Sequence, residues 1–124
     1  MKIIKPVNKL SDERGYLIEI MQDGVWKQIN HSFTKMGTIR GNHYHKSCNE
    51  FFYIVGGELK LTIKNIKSEE EITAIMKKGD CFIVEPYEVH IVEALTDLEF
   101  IVLLSEPFNP NDPDLFREDG SQQN

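Results

Sequence analysis

Three of the four histidines in this chain of 124 residues have a spacing that can bring them together. His43 and His45 occupy alternate positions, so on an extended strand both side chains leave the same face, and Glu50 follows after a short turn. His90 can complete the group from a distant strand. Three imidazoles and one carboxylate form a mixed nitrogen and oxygen donor set that suits zinc, iron, manganese, nickel or copper. Because such a set leaves coordination positions open, it is typical of a catalytic rather than a structural metal.

Strands must position these side chains, because apolar and polar residues alternate through most of the chain. Leu59, Leu61 and Ile63 alternate with two lysines and a threonine, as in a half-buried strand. Similar runs predict strands at residues 16–21, 26–34, 51–55, 71–76, 81–85, 91–95 and 98–104. Turn signals such as Asp23-Gly24 and Gly56-Gly57 separate the runs, and no segment sustains a helical period. The pattern predicts an all-β domain, either a sandwich or a barrel.

Size, charge and cysteine content restrict the class of protein. A mass of 14.4 kDa corresponds to one domain, and the net charge of −6 provides no basic face for nucleic acid. The two cysteines are not in a CxxC pair and are expected to be reduced. There is no apolar run of membrane-spanning length and no signal-peptide pattern at the start. These features favour a cytoplasmic protein with a small-molecule partner and no contact with a membrane.

The alternating pattern ends at residue 104. We expect residues 1–104 to form the single barrel domain. Residues 105–124 are acidic and contain Pro107, Pro110 and Pro113, which predicts an extended or partly disordered C-terminal tail.

The spacing of residues 37–57, with His43, His45 and Glu50 between two glycines, resembles the first motif of the cupin superfamily at every fixed position. A His-x-His pair alone is more often a surface pattern, but the full spacing favours a metal site. The resemblance implies a double-stranded β-helix, which is a small jelly-roll barrel whose strands carry the metal ligands into its interior.

The second cupin motif is matched more loosely by Gly79, Pro86 and His90. Tyr87 stands where a glycine is usual, and Ala94 stands where an asparagine is common. The resemblance implies that His90 is the fourth ligand of a divalent metal, with zinc as the first expectation and iron, manganese or nickel as alternatives.

Further segments resemble enzymes that act on nucleotide sugars. Residues 12–19, DERGYLIE, resemble the N-terminal segment of dTDP-4-keto-6-deoxyhexose 3,5-epimerases and 3,4-ketoisomerases. Residues 28–32 and 37–44 resemble the Q-x-N-x-S and G-x-x-R-G-x-H-Y block of the epimerases. The string RGNHYH at 40–45 and the tail motif EPFNP look closer still to the zinc-containing cupin domain of bifunctional capsule-biosynthesis enzymes, which epimerise and then reduce a UDP-linked ketosugar.

This resemblance implies a metal-containing epimerase or isomerase of a nucleotide-linked 4-keto-deoxysugar in surface polysaccharide or deoxysugar biosynthesis. The reaction would be proton abstraction next to the C4 carbonyl, with the metal either polarising the keto oxygen or only rigidifying the barrel. The chain contains no G-x-G-x-x-G after a strand, so reduction is not expected of these residues. A metal-dependent cupin dioxygenase and a non-catalytic sugar-binding cupin module are the alternatives.

The two resemblances assign different roles to His43. The 3,5-epimerases have their catalytic base at this position and a glutamine at the position of His45. A histidine whose lone pair is on a metal cannot also take a proton, so His43 is a catalytic candidate only if it is not a ligand. The presence of Glu50 and His90 favours the ligand role.

Four polar residues in the matched segments are candidates for substrate binding. Arg14 and Arg40 are two of only three arginines, and a guanidinium suits the diphosphate of a nucleotide sugar. Gln28 and Asn30 share strand parity, and their amides suit sugar hydroxyls or the keto oxygen. The alternatives are surface salt bridges for the arginines and a solvent-facing stripe for the amides.

Weaker acid–base candidates are Tyr53, Glu85 and Tyr87, which are chosen only because they lie near the motifs. A structural or surface role is the alternative for each of them.

We expect a homodimer, because a lone small barrel leaves edge strands uncovered. In the resembling epimerases the N-terminal Arg-Gly segment reaches across the dimer, which implies that Arg14 serves the neighbouring site.

Overall fold

The computed structural model describes residues 1–123, and the regular structure in this range consists of strands. The strands are Lys2–Ile4 (β1), Asn8–Asp12 (β2), Gly15–Glu19 (β3), Gln28–Thr34 (β4), Ile39–His43 (β5), Glu50–Gly56 (β6), Glu58–Asn65 (β7), Glu71–Lys77 (β8), Cys81–Val84 (β9), Glu88–Ala94 (β10) and Leu98–Leu104 (β11). No helix within the described range is long and apolar enough to cross a membrane.

The strands form two larger sheets and one separate hairpin. The first sheet has the order β1-β9-β6-β11-β4, the second has the order β5-β10-β7-β8, and β2 pairs only with β3. Every strand pairing among the described residues is antiparallel. The all-β class expected from the alternating pattern is therefore confirmed.

A single hydrophobic cluster is built from residues of both larger sheets. Ile54, Leu59, Phe82 and Leu98 are fully buried in it, and Phe52 stacks on Phe82 with 4.7 Å between ring centroids. Cys48 and Cys81 are buried free thiols. This packing fixes the strands whose ends carry the polar residues of interest.

A β-bulge in the second sheet sets the direction of β5. His90 lies opposite His43, whereas the next residue of β10, Ile91, lies opposite Gly41, so Asn42 is the extra residue. Gly41 and Asn42 both have left-handed backbone angles, with φ of 89° and 64°. A Cβ atom on Gly41 would lie 2.4 Å from the carbonyl oxygen of His90, so position 41 requires glycine.

The C-terminal segment, residues 105–123, folds back onto the chain next to β5. Tyr44 and Phe116 exchange backbone N–H···O hydrogen bonds of 2.8 and 2.9 Å, and their rings stack with centroids 5.7 Å apart. The segment therefore lies against the residues that connect His43 to His45.

Candidate metal and substrate site

Four side chains from β5, β6, β10 and the loop after β5 converge in one cluster. His43 ends β5, Glu50 begins β6, His90 lies in β10, and His45 follows β5 by two residues. One possible ligand atom from each lies within 4.8 Å of all the others. His45 and His90 are almost completely buried, with 5% and 3% of their surface exposed. The convergence expected from the spacing is present in the fold.

Hydrogen bonds orient the groups in this cluster. Glu50 Oε1 accepts a hydrogen bond from His45 Nε2 and lies 3.4 Å from His90 Nε2. On its other side, His45 donates from Nδ1 to the backbone carbonyl of Asp114 at 2.6 Å. Because Nδ1 is occupied by this carbonyl, Nε2 is the nitrogen of His45 that faces the centre of the cluster.

Burial and the neighbouring charges shift the pKa values of the groups in this cluster. Burial and the neighbouring histidines lower the pKa of His43 to about 4, and burial lowers the pKa of His90. Burial alone would raise the pKa of Glu50, but the hydrogen bond from His45 and the nearby imidazoles lower it to about 2. Burial likewise opposes the charged form of His45, yet the hydrogen bond to Glu50 and its charge raise the pKa of His45.

The donor set fits a divalent metal. At neutral pH Glu50 is ionised and His43 and His90 are neutral, which are the protonation states in which carboxylates and imidazoles bind metals. A backbone carbonyl on the far nitrogen of a ligating histidine is a common support for such a ligand. His45 would release its Nε2 proton, now hydrogen-bonded to Glu50, when a metal binds, and with that loss the four residues can hold a metal ion.

A cavity of about 310 Å³ leads to the cluster. In addition to His43, Glu50 and His90, both polar and apolar residues line this cavity. The lining residues are Asn30, Ser32, Arg40, Gly41, Phe52, Val92, Phe100 and Val102. The cavity thus combines hydrogen-bond donors, an apolar wall and the possible metal ligands.

Hydrogen bonds from nearby residues hold the polar side chains that line the cavity. Arg40 donates from Nε to Thr34 Oγ1 at 2.7 Å, and Thr34 is 1% exposed, so the base of the guanidinium is fixed. Gln28 donates to Asn30 Oδ1 at 2.9 Å and accepts from the backbone N–H of Phe108 at 2.8 Å. Asn30 and Arg40 line the cavity, whereas Gln28 lies outside the lining and orients Asn30.

Arg14 lies in the turn of the β2–β3 hairpin, outside this cavity. Its side chain is 84% exposed and pairs with Asp12 at 2.5 Å. The hairpin also exposes Leu10, Tyr16 and Leu17. Within one chain, therefore, the fold does not bring Arg14 to the cluster.

The three weaker acid–base candidates also lie away from the cavity. Tyr53 alternates with Phe52 along β6 and leaves the opposite face, because Phe52 lines the cavity. Glu85 lies 3.8 Å from the ammonium of Lys2. Tyr87 stacks on Tyr44 at 5.9 Å, and none of the three candidates lines the cavity.

Sequence reasoning missed Ser32, Thr34 and Asp114 as contributors to the site. Ser32 and Thr34 share strand parity with Asn30, so the same alternation could have identified them. Asp114 contacts His45 across 69 positions of sequence, and no local pattern marks such a contact.

Comparison with known proteins adds a family and several relatives. The family described as polysaccharide biosynthesis C-terminal domain matches residues 10–116. The chain is 26% identical over 110 residues to UDP-2-acetamido-2,6-beta-L-arabino-hexul-4-ose reductase of Pseudomonas aeruginosa, covering 86% of this chain and 30% of that protein.

Solved structures of related proteins have a similar fold. The capsular polysaccharide assembling protein CapF from Staphylococcus aureus superposes with a TM-score of 0.69 and 26% identity, covering 92% of this chain and 33% of that one. The TDP-quinovose 3,4-ketoisomerase WlaRB from Campylobacter jejuni gives a TM-score of 0.81 at 18% identity, covering 94% and 91%. The chain therefore spans about a third of the first two relatives, and the expected cupin jelly-roll fold is confirmed.

Proposed function

The chain belongs to the polysaccharide biosynthesis C-terminal domain family, and from this premise we propose that it is a metal-containing epimerase or isomerase of a nucleotide-linked 4-keto-deoxysugar. A proton would leave the carbon next to the C4 carbonyl and return to its other face or to the neighbouring carbon. The reaction would belong to surface polysaccharide or deoxysugar biosynthesis, and we place it in the cytoplasm, where nucleotide sugars are made.

One observation carries this proposal. The cavity that leads to His43, Glu50 and His90 is also lined by Asn30 and Arg40, whose side chains carry hydrogen-bond donors. The same cavity could thus hold a sugar at the cluster and its anionic group at the guanidinium. An apolar wall, which includes Phe52 and Phe100, would exclude water around the reacting carbon.

The metal would be held by His43, His45, Glu50 and His90. Zinc suits three imidazoles and one carboxylate, and iron, manganese or nickel would also accept this set. When bound, the ion would polarise the keto oxygen and so stabilise the negative charge that develops there.

Arg40 is the side chain of this cavity that suits the diphosphate. Its Nε is held by Thr34, which leaves the terminal nitrogens for paired hydrogen bonds to phosphate oxygens. Asn30, oriented by Gln28, would contact a sugar hydroxyl or the keto oxygen.

The proton acceptor depends on the state of His43. Without a metal, His43 is neutral at pH 7 because its pKa is lowered to about 4, and its ring can accept a proton. With His43 bound to a metal, the described lining of the cavity has no free carboxylate or imidazole. In that case the acceptor would be a group outside this set of lining residues.

We expect the chain to form a homodimer, because it exposes apolar side chains on an edge strand and on a hairpin. β4 is an edge strand that exposes Ile29 and Phe33, and the β2–β3 hairpin exposes Leu10 and Leu17. Two copies that cover these surfaces mutually would bring the hairpin with Arg14 near the neighbouring cavity.

Molecular mass in solution tests the dimer. We expect Phe33→Glu to produce monomers, whereas Ile75→Glu, an equally exposed control on the edge strand β8, should leave the dimer intact. A monomeric wild-type chain would contradict this part of the proposal.

Proton exchange in D₂O tests the reaction itself. UDP- and dTDP-linked 4-keto-6-deoxyhexoses are incubated with the metal-loaded protein, and the C3 and C5 proton signals are followed by NMR. Loss of the C3 signal alone would support a 3-epimerase or 3,4-ketoisomerase, and loss of both would support a 3,5-epimerase.

Controls separate catalysis from other roles of the site. Glu50→Gln should abolish exchange, while Glu99→Gln, on an exposed residue that pairs with His31 at 2.5 Å, should leave it unchanged. Binding without exchange by the wild type would overturn catalysis in favour of a sugar-binding module. Substrate-dependent oxygen uptake by the iron-loaded protein would instead favour a dioxygenase.

A further inference from the structure

We propose that Asp114 is a positioning residue for His45, and that through it the C-terminal segment sets the geometry of the metal site. The inference rests on the metal site proposed above. Asp114 acts through both of its oxygen-bearing groups, because its side chain holds the loop after His45 and its backbone carbonyl holds the imidazole ring.

The carboxylate of Asp114 accepts hydrogen bonds from three consecutive backbone amides. Its Oδ1 accepts a hydrogen bond from the N–H of Lys46 at 2.8 Å, and its Oδ2 accepts from Ser47 and Cys48 at 3.0 Å each. These amides belong to the loop that joins His45 to Glu50, and they have no strand partner. One side chain therefore satisfies the donors that this loop would otherwise leave open.

The carbonyl of Asp114 selects the nitrogen with which His45 can bind. Because Nδ1–H donates to this oxygen at 2.6 Å, Nε2 is directed toward Glu50. The position of the carbonyl is in turn fixed by the carboxylate of the same residue. Removing the carboxylate should thus loosen the loop and the ring together.

Neighbouring contacts hold the segment on the other side of His45. Phe116 forms its two backbone hydrogen bonds with Tyr44, and the ammonium of Lys46 lies 4.1 Å above the ring of Phe116. The ligand is therefore flanked on both sides by residues that the C-terminal segment holds. Within the segment, the backbone carbonyl of Asp114 accepts the hydrogen bond from the His45 ring.

The test compares metal affinity in full-length variants. Zinc and cobalt(II) are titrated against a competing chelator into the wild type, Asp114→Ala and Asp114→Asn. Asp112→Ala is the matched control, because it also removes a carboxylate from this segment. The carboxylate of Asp112 accepts a hydrogen bond from the side-chain amide of Gln122. Circular dichroism and thermal melting establish that each variant is folded.

We expect Asp114→Ala to weaken metal binding by about 10- to 100-fold, the range found when a residue that supports a metal ligand is lost. Asp114→Asn keeps one side-chain oxygen as an acceptor, so its loss of metal affinity should be smaller. This variant keeps the test informative if the alanine variant does not fold. In the cobalt form, the visible absorption of Asp114→Ala should change because His45 no longer binds in the same orientation. The control should retain wild-type affinity and spectrum.

Two results would overturn the inference alone: wild-type affinity in folded Asp114→Ala, or an equal loss in Asp112→Ala. Failure of the metal proposal is distinguishable from these, because then the wild type itself would take up neither zinc nor cobalt.

Discussion

His43 and His90 lie directly opposite each other on β5 and β10, with their ring centroids 4.6 Å apart. The pairing occurs where the strand register shifts, and the shift is possible because Gly41 has a left-handed backbone. The backbone irregularity at Gly41 and Asn42 therefore helps to place the two rings at this distance.

Replacement of Gly41 by alanine should separate these two histidines. A left-handed backbone costs an alanine about 1–2 kcal/mol, and the added Cβ would also clash with the carbonyl oxygen of His90. We expect a lower free energy of unfolding in urea and weaker metal binding. Gly56→Ala is the control, since its added Cβ meets no atom within 4 Å. Equal stability of the two variants would show that the bulge does not depend on glycine.

Glu50→Gln should remove the metal while preserving the size of the side chain. Glu50 is the carboxylate shared by His45 and His90, so a neutral amide removes the one anionic ligand. We expect metal affinity to fall by at least about 100-fold, the upper end of the loss seen when a supporting residue is removed. The metal content after dialysis measures the effect, and wild-type content in the variant would contradict it.

The stability of the metal-free protein should depend on pH through His43. The pKa of His43 is lowered from 6.5 to about 4, so the unfolded chain takes up its proton at a higher pH than the folded chain does. This contribution to stability is fully present above pH 6.5 and is lost as the pH falls toward 4.

Thermal melting in the presence of a chelator measures this contribution. The wild type should lose more stability than His43→Gln between pH 7 and 4.5, because the variant lacks the titrating ring. Parallel melting curves for the two proteins across this range would be inconsistent with the lowered pKa.

Arg40→Lys should weaken the binding of nucleoside diphosphates without affecting the fold. A lysine keeps the charge but cannot donate to Thr34 and to two phosphate oxygens in one plane. Loss of a charged hydrogen bond costs about 1.5–3 kcal/mol, which corresponds to at least about a tenfold rise in Kd. Isothermal titration with UDP and TDP tests this, with the exposed Arg117→Lys as the control. Similar affinities for both variants would remove Arg40 from the binding site.

The cluster of three histidines and Glu50 could be predicted from the sequence because most of its spacing is local. His43, His45 and Glu50 lie within eight consecutive positions of a strand and turn pattern, and the second motif supplied His90. Likewise, the regular alternation in residues 59–64 predicted β7. By contrast, the five residues of β2 are all exposed and show no apolar alternation, so nothing in the sequence marked them as a strand.

Other features depend on contacts that a local pattern does not contain. Tyr53 was proposed from its nearness to Glu50 in sequence, yet the two are an odd number of positions apart on β6 and so leave opposite faces. Asp114 lies in a segment without alternation, and its contacts with the loop after His45 form only when the chain folds back.

The 69 positions between His45 and Asp114 also set an order of events on the ribosome. Synthesis proceeds from the N-terminus, so His43, His45 and Glu50 emerge well before the residue that holds their loop. The amides of that loop lack this carboxylate partner until Asp114 has been synthesised and its segment has folded back. On the function proposed here, tight metal binding would therefore have to wait until Asp114 has been synthesised and has reached His45.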